Sequence, residues 1–193
     1  MFERFSIGAS SPRIEGSRVY LRPPAARDWA EWARVRAESR TFLTPWEPTW
    51  PDDALTRAAF RRRLRRHAQD AREDAAYAFL IFRRQDGRLV GGVTLSNVRR
   101  GVTQSCALGY WTGRAHARQG YMHDALRALI RHVFDDLGLR RLEAACLPHN
   151  EASRNLLLKL GFVQEGLARQ YLCIDGKWQD HVLFALLARD PRP

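Results

Sequence analysis

Tyr110, Trp111 and Thr112 close an apolar stretch of strand-like composition. The chain then passes through Gly113, Arg114, Ala115, His116, Ala117, Arg118, Gln119 and Gly120 into Tyr121 and Met122, where helical spacing begins. The first amides of a helix have no partner within it, and the helix dipole adds positive potential there. A pyrophosphate fits such a terminus. Gly120 lets the backbone approach it closely, and Arg114, His116 and Arg118 bring positive charge. An ordinary loop with a glycine and solvated arginines has the same composition. A second helix start follows at Asn150, with Glu151 and Ser153 in its first turn. Asn150 is a good N-cap and Glu151 complements the dipole. Asn150 and Ser153 could also hydrogen-bond a ligand lying between this helix and the preceding one.

Other side chains suit substrate binding. Trp46 and Tyr171 could clamp a peptide end, or simply pack a Pro-rich loop. Asn97 could bond a peptide backbone or terminate a strand. Glu47 and Glu143 are carboxylates that could act as a base, or serve as structural and surface groups. Gly91 and Gly92 mark a bulge or a close packing contact rather than a nucleotide site. Arg57, Arg61, Arg62, Arg63, Arg65 and Arg66 crowd one helix. A solvated face and a polyanion contact both account for them. No aromatic residues alternate with these arginines, so single-strand stacking is not indicated.

These residues need elements to position them. Residues 19–22 read as a first strand, closed by Pro23 and Pro24. Over 25–37, Trp29, Trp32 and Ala33 have helical spacing. The aromatic stretch 42–48 is expected to be irregular, since Pro45, Pro48 and Pro51 forbid a regular helix there. Asp52 and Asp53 can start a second helix, with Leu55, Ala59, Phe60, Leu64, Ala68 and Ala71 as its apolar stripe. Strands at 76–82 and 89–95 flank an Asp86-Gly87 hairpin turn. A strand at 104–111 follows, then an amphipathic helix at 121–137 with Leu126, Leu129, Ile130, Val133 and Phe134 on one side. A strand at 141–147 leads to a helix at 150–160, stopped by Gly161. Strands at 162–174, with Gly166 as the point of any interruption, and at 178–187 meet at an Asp175-Gly176 turn. This order of elements describes a mixed α/β layer fold.

The 193 residues contain no repeat, linker or low-complexity block, so one domain spanning 1–193, with a core from about 17 to 188, is expected. No run of about 18 apolar residues is present, and the N-terminal stretch lacks the apolar segment of a signal peptide. A cytoplasmic protein with no membrane contact is the expectation. Cys106, Cys146 and Cys173 are odd in number, widely spaced and without a CxxC pair, so buried structural thiols are expected and no metal site. The net charge of +11 favours polyanionic neighbours: a phosphate-bearing cofactor, ribosomal RNA or an acidic surface. A GC-rich genome that spells its basic residues as arginine would give the same balance.

Taken together, in this order and spacing, the two helix starts resemble those of the GCN5-related N-acetyltransferases. In that family a Q/R-x-x-G-x-G/A loop cradles the coenzyme A pyrophosphate, and an N-x-x-S…K-x-G-F segment follows. The second segment is matched by Asn150, Ser153, Lys159, Gly161 and Phe162. The loop departs from the pattern with Ala117 in place of Gln or Arg, Arg118 in place of a glycine, and Met122 in place of the last Gly or Ala. A narrower similarity, to the ribosomal-protein-alanine N-acetyltransferases, is carried by Phe42, Leu43, Pro45, Trp46, Glu47 and Pro48, by Ser96, Asn97, Val98, Arg100 and Gly101, and by Gly109 and Tyr110. Arg118 to Met122, Pro148 to Asn150, and Tyr171, Leu172, Ile174, Trp178, Asp180 and His181 extend it.

The resemblance implies the acyl-CoA N-acyltransferase fold: a mixed, mostly antiparallel central sheet flanked by helices, with strands 104–111 and 141–147 splayed at their ends. It implies acetyl-CoA as cosubstrate and no metal. The cofactor-binding residues it implies are Tyr110, Trp111, Thr112, Ala117, Arg118, Gln119, Gly120, Tyr121, Met122, Asn150, Ser153 and Asn155. A backbone amide near Tyr110 to Thr112 would hold the thioester oxygen. Position 157 is Leu where some relatives carry a Tyr acid, which shifts attention to Ser153 as the catalytic residue. Trp46, Glu47, Asn97 and Tyr171 are the implied substrate contacts. The implied substrate is the N-terminal alanine of a small-subunit ribosomal protein, with the arginines of 57–66 touching ribosomal RNA. A small-molecule amine as acceptor, or a non-catalytic ribosome-binding protein on this scaffold, are the competing readings.

Overall fold

The computed structural model describes residues 13–192; residues 1–12 and 193, which the single-domain reading also takes in, lie outside the described residues. The strands are β1 (Ile14–Glu15), β2 (Val19–Arg22), β3 (Tyr77–Arg83), β4 (Leu89–Arg99), β5 (Ser105–Thr112), β6 (Arg141–Cys146), β7 (Val163–Ile174) and β8 (Lys177–Leu187). The helices are α1 (Trp29–Glu38), α2 (Arg40–Leu43), α3 (Arg57–Arg72), α4 (Tyr121–Arg131) and α5 (Glu151–Lys159). The strands form one eight-stranded sheet in the order β1-β2-β3-β4-β5-β6-β8-β7. Every neighbouring pair is antiparallel except β5 and β6. A parallel pair needs a crossover, and α4 supplies it.

Alternation along β3 explains the two-sided core. Phe79 and Ile81 point into the larger apolar cluster, with Leu126, Leu129, Ile130 and Val133 of the α4 segment and Leu157 of α5. Leu80 and Phe82 point the other way, against Trp32 and Val35 of α1 and Phe60 of α3. With both faces covered, β3 reads as a continuous apolar run. The helices α1 and α3 pack on one face, over β2 to β4 and the Trp111 side chain of β5, and α4 and α5 pack on the other.

Several elements differ from the expectation. β1 was not foreseen. β4 extends to Arg99, past a register shift between Ser96 and Arg99. α3 starts at Arg57 rather than at Asp52, because the Thr56 hydroxyl accepts from the Ala59 amide at 3.2 Å and makes the cap. Asp53 pairs with Arg62 instead. Within the aromatic stretch, Arg40–Leu43 is a short helix and Thr44–Trp46 a 3-10 turn. The amphipathic helix changes to a π turn over His132–Asp136. β7 is unbroken at Gly166 but shifts register on either side of it. Cys106 and Cys146 are buried, whereas Cys173 is half-buried; all three are free thiols. Among the described residues no helix is long and apolar enough to cross a membrane.

Candidate active site

β5 and β6 are partners only from Ser105 with Arg141 to Leu108 with Ala144. Beyond that pair β5 continues along β4 to Thr112, and β6 continues along β8 to Cys146. Each strand follows its outer neighbour, so the two part after Leu108. The Gln104 carbonyl accepts from the Arg140 and Arg141 amides and therefore faces β6; the Gly113 amide donates to the Val90 carbonyl and faces β4. With a period of two, the peptide groups of Tyr110 and Thr112 turn into the opening, and that of Trp111 turns to β4. The Trp111 amide is thus used within the sheet, which narrows the expected backbone contacts to Tyr110 and Thr112. The Trp111 side chain packs beside the α1/α3 cluster. A Cβ on Gly92 would stand 2.6 Å from Trp111 Nε1 and one on Gly91 would meet the Trp111 carbonyl oxygen, so the glycine pair marks a close packing contact with Trp111.

The loop after β5 makes one 3-10 turn, Arg114–His116. Arg118 (φ 58°) and Gly120 (φ 79°) are left-handed, and α4 follows at once. The left-handed backbone accounts for the glycine usual at position 118. Among the described residues, no acceptor takes the backbone amides of Arg118 to His123; the first bond of the helix is Asp124 N to the Gly120 carbonyl at 3.1 Å. These free donors at a helix N-terminus form an anion cradle. The Tyr121 and Met122 side chains are buried, so only their backbone is offered. The Gln119 side chain folds back onto the Ala115 carbonyl at 2.8 Å.

His116 does not carry its expected charge. Burial, then Arg83, pushes its pKa below the usual histidine value, so it is neutral at pH 7. Arg18 contributes a charge that sequence reasoning missed. Its guanidinium donates to the Gln119 carbonyl at 2.9 Å and lies 4.5 Å from the centroid of the Tyr121 ring. Asp124 fixes Arg18 by accepting the Ser17, Arg18 and Val19 amides at 3.0, 2.7 and 3.1 Å.

On the far side of the opening, the Asn150 side chain caps α5 by accepting the Ser153 amide at 3.1 Å. Ser153 Oγ then stands 2.7 Å from the Tyr110 hydroxyl. Burial raises the Tyr110 pKa above the usual phenol value, so the phenol keeps its proton. Burial likewise pushes the Cys146 thiol up, with Ser153 opposing it. Leu157 is fully buried in the core, and Asn155 is exposed on α5.

At the mouth, the Trp46 ring lies 5.5 Å from His149. The Glu47 carboxylate receives both terminal nitrogens of Arg36, at 2.8 and 2.7 Å, and Trp50 Nε1 at 2.8 Å. It is therefore fully engaged and is not a free base. The Glu47 carbonyl accepts from the Asp175 amide at 3.0 Å, tying the aromatic loop to the β7–β8 turn. That hairpin carries Tyr171, exposed and 5.8 Å from the His181 ring. Asn97 stands apart. It sits at φ 51° in the β4 bulge, four residues from Val93, the partner of Tyr110, or about 13 Å along the strand. Glu143 is bonded to Arg141 at 2.7 Å. Among the described residues no three His, Cys, Asp or Glu side chains gather as a metal ligand set.

Comparison with known proteins supplies the context for this geometry. The acetyltransferase (GNAT) domain model matches residues 18–163. The [ribosomal protein uS5]-alanine N-acetyltransferase of Escherichia coli is 36% identical over 181 residues, covering 94% of this chain and 93% of that protein. A probable N-acetyltransferase of Bacillus subtilis, YjcK, is 34% identical over 177 residues, 92% of this chain and 98% of its own. Among solved structures, Mycobacterium smegmatis RimJ in complex with CoA-disulfide superposes with a TM-score of 0.88 at 33% identity, covering 92% of this chain and 88% of that one.

Proposed function

Since the chain belongs to the GNAT acetyltransferase family, we propose that it transfers the acetyl group of acetyl-coenzyme A to the N-terminal alanine amine of a small-subunit ribosomal protein. The observation that carries the acetyl transfer is the parting of β5 from β6 beside a run of unpartnered amides at the start of α4. A diphosphate fits those amides, and an amide-bearing arm fits the free peptide groups of Tyr110 and Thr112. The ribosomal acceptor is supported by the Escherichia coli relative, whose name gives that substrate. We also propose that the arginines of α3 contact ribosomal RNA.

When bound, acetyl-coenzyme A supplies an activated acyl thioester. The chain's own residues do the rest. The amides of residues 118–123 and the Arg18 and Arg118 charges hold the phosphates. The Tyr110 or Thr112 amide donates to the carbonyl oxygen that gains negative charge as the amine attacks. Ser153 donates a hydrogen bond to the departing sulfur. No strong base is required, because an α-amine is roughly 15% neutral at pH 7, against about 0.04% for a lysine side chain. Trp46 and Tyr171 flank the acceptor and exclude water.

Mass spectrometry of ribosomal-protein N-termini, with and without this protein, tests the reading. One small-subunit protein should lose its N-terminal acetyl group when the gene is deleted. Unchanged N-termini across the ribosome, with turnover of a small amine in vitro, would leave only the acetyltransferase.

A further inference from the structure

Ser153 is a weak acid whose hydroxyl can rotate freely unless something fixes it. Beside the Cys146 thiol, the structure brings a phenol to it within hydrogen-bond distance. Tyr110 Oη lies 2.7 Å from Ser153 Oγ, and among the described residues it has no other hydrogen-bond partner. The two side chains come from opposite banks of the opening: Tyr110 from β5, two residues past the last β5–β6 pair, and Ser153 from the first turn of α5. The Ser153 amide is itself pinned by Asn150, so the backbone under the hydroxyl is fixed as well.

We propose that Tyr110 is a positioning residue for catalysis, acting through its phenol and not only through its backbone. The phenol donates its proton to Ser153 Oγ, which leaves the serine's own proton free to point into the opening. Burial keeps the phenol protonated, so it remains a donor over the whole working range. The serine hydrogen then bonds to the sulfur while the carbon–sulfur bond breaks. The amine forms its bond to the acetyl carbon and gives up one proton; the sulfur gains one, so the exchange balances with no further reactant. This arrangement meets the need left by Leu157: a half-buried tyrosine on the strand orients the hydroxyl on the helix. The inference rests on the reading of Ser153 as the sulfur-side donor.

A double-mutant cycle on the full-length protein tests it, with an Ala-starting peptide as acceptor. Tyr110→Phe, which keeps the ring, should lower kcat about tenfold with both KM values little changed. Ser153→Ala should lower kcat at least as much, and the double variant should fall no further than Ser153→Ala alone. Multiplying effects in the double variant would overturn the proposal, as would a Tyr110→Phe enzyme with wild-type kcat beside an impaired Ser153→Ala enzyme. A Ser153→Ala enzyme with full activity would instead remove the underlying role of Ser153. Ser153→Thr, which keeps a hydroxyl, should retain sensitivity to Tyr110→Phe. Should Tyr110→Phe melt early, the Ser153→Ala background decides: there the phenylalanine must cost stability but no further kcat.

Discussion

At the scale of single residues, the site asks little acid–base strength of the protein and much placement. On the proposed reading the acceptor is an α-amine, which loses its proton near pH 7.7–8.0. The rate should therefore rise with pH through about 8 as the neutral amine accumulates. The buried phenol of Tyr110 titrates above its usual value, so no falling limb from that group should appear before about pH 10. A pH–rate profile with an acceptor peptide checks both limbs; an early fall would mean that some other proton matters. Arg118 makes a second case. Its φ of 58° costs an L-residue about 1–2 kcal/mol, and its side chain is exposed in the loop that leads to the free amides of α4. Arg118→Gly should leave the melting temperature equal or higher and raise the KM for acetyl-CoA a few-fold. A large drop in melting temperature would show that the side chain holds the loop in another way. The helix start after Gly120 and the Asn150 cap before Ser153 were legible in the sequence because both are local features. Arg18 and Asp124 were not, because the contact joins residues 106 apart and neither belongs to a local pattern.

At the scale of elements, two ties decide whether the site keeps its shape. One is Asp124, whose carboxylate gathers two amides of the β1–β2 turn and the first amide of β2 and so holds Arg18 beside the free amides of α4. Hydrogen bonds to a charged group are worth about 1.5–3 kcal/mol, so Asp124→Ala should lower stability by about 2 kcal/mol and weaken acetyl-CoA binding. Denaturant melts with and without the cosubstrate separate the two effects. The other tie is the Arg36–Glu47 fork, which anchors the aromatic loop against α1 while the Glu47 carbonyl holds the β7–β8 turn. Glu47→Ala should free the loop, raising the KM for the acceptor while leaving that for acetyl-CoA nearly unchanged. Equal loss on both substrates would place the loop's role elsewhere. Periodicity found the larger elements, because their apolar faces repeat over many residues. It missed β1, which is two residues long, and it started α3 too early, because Asp53 has the composition of a cap yet spends its carboxylate on Arg62. The π turn after α4 leaves the apolar pattern intact, so the sequence carries no sign of it.

At the scale of the whole molecule, the net charge of +11 is spread unevenly in its effect. Many arginines are engaged internally: Arg22 with Asp28, Arg36 with Glu47, Arg100 with Asp74, and Arg141 with both Glu143 and Glu165. Even on α3 the face is not uniform, since Arg62 pairs with Asp53 and Arg63 lies 5.4 Å from the centroid of the Trp32 ring. Among the described residues, Arg61, Arg65 and Arg66 form no ion pair, and all three are exposed on this one helix. If they meet ribosomal RNA, each phosphate neutralised releases condensed counterions, and affinity falls with salt by a log–log slope of about 0.7–0.9 per contact. Changing Arg61, Arg65 and Arg66 together to Glu should therefore flatten the salt dependence of ribosome binding by about 2 to 3 in slope. The same variant should acetylate a short peptide at the wild-type rate, because nothing in the opening changes. Ribosome binding that is weak in salt dependence from the start, or a triple variant that binds as tightly as the wild type, would reduce the arginines to a solvated face. Acceptor choice would then rest on the mouth formed by Trp46, Tyr171 and their supporting ties alone.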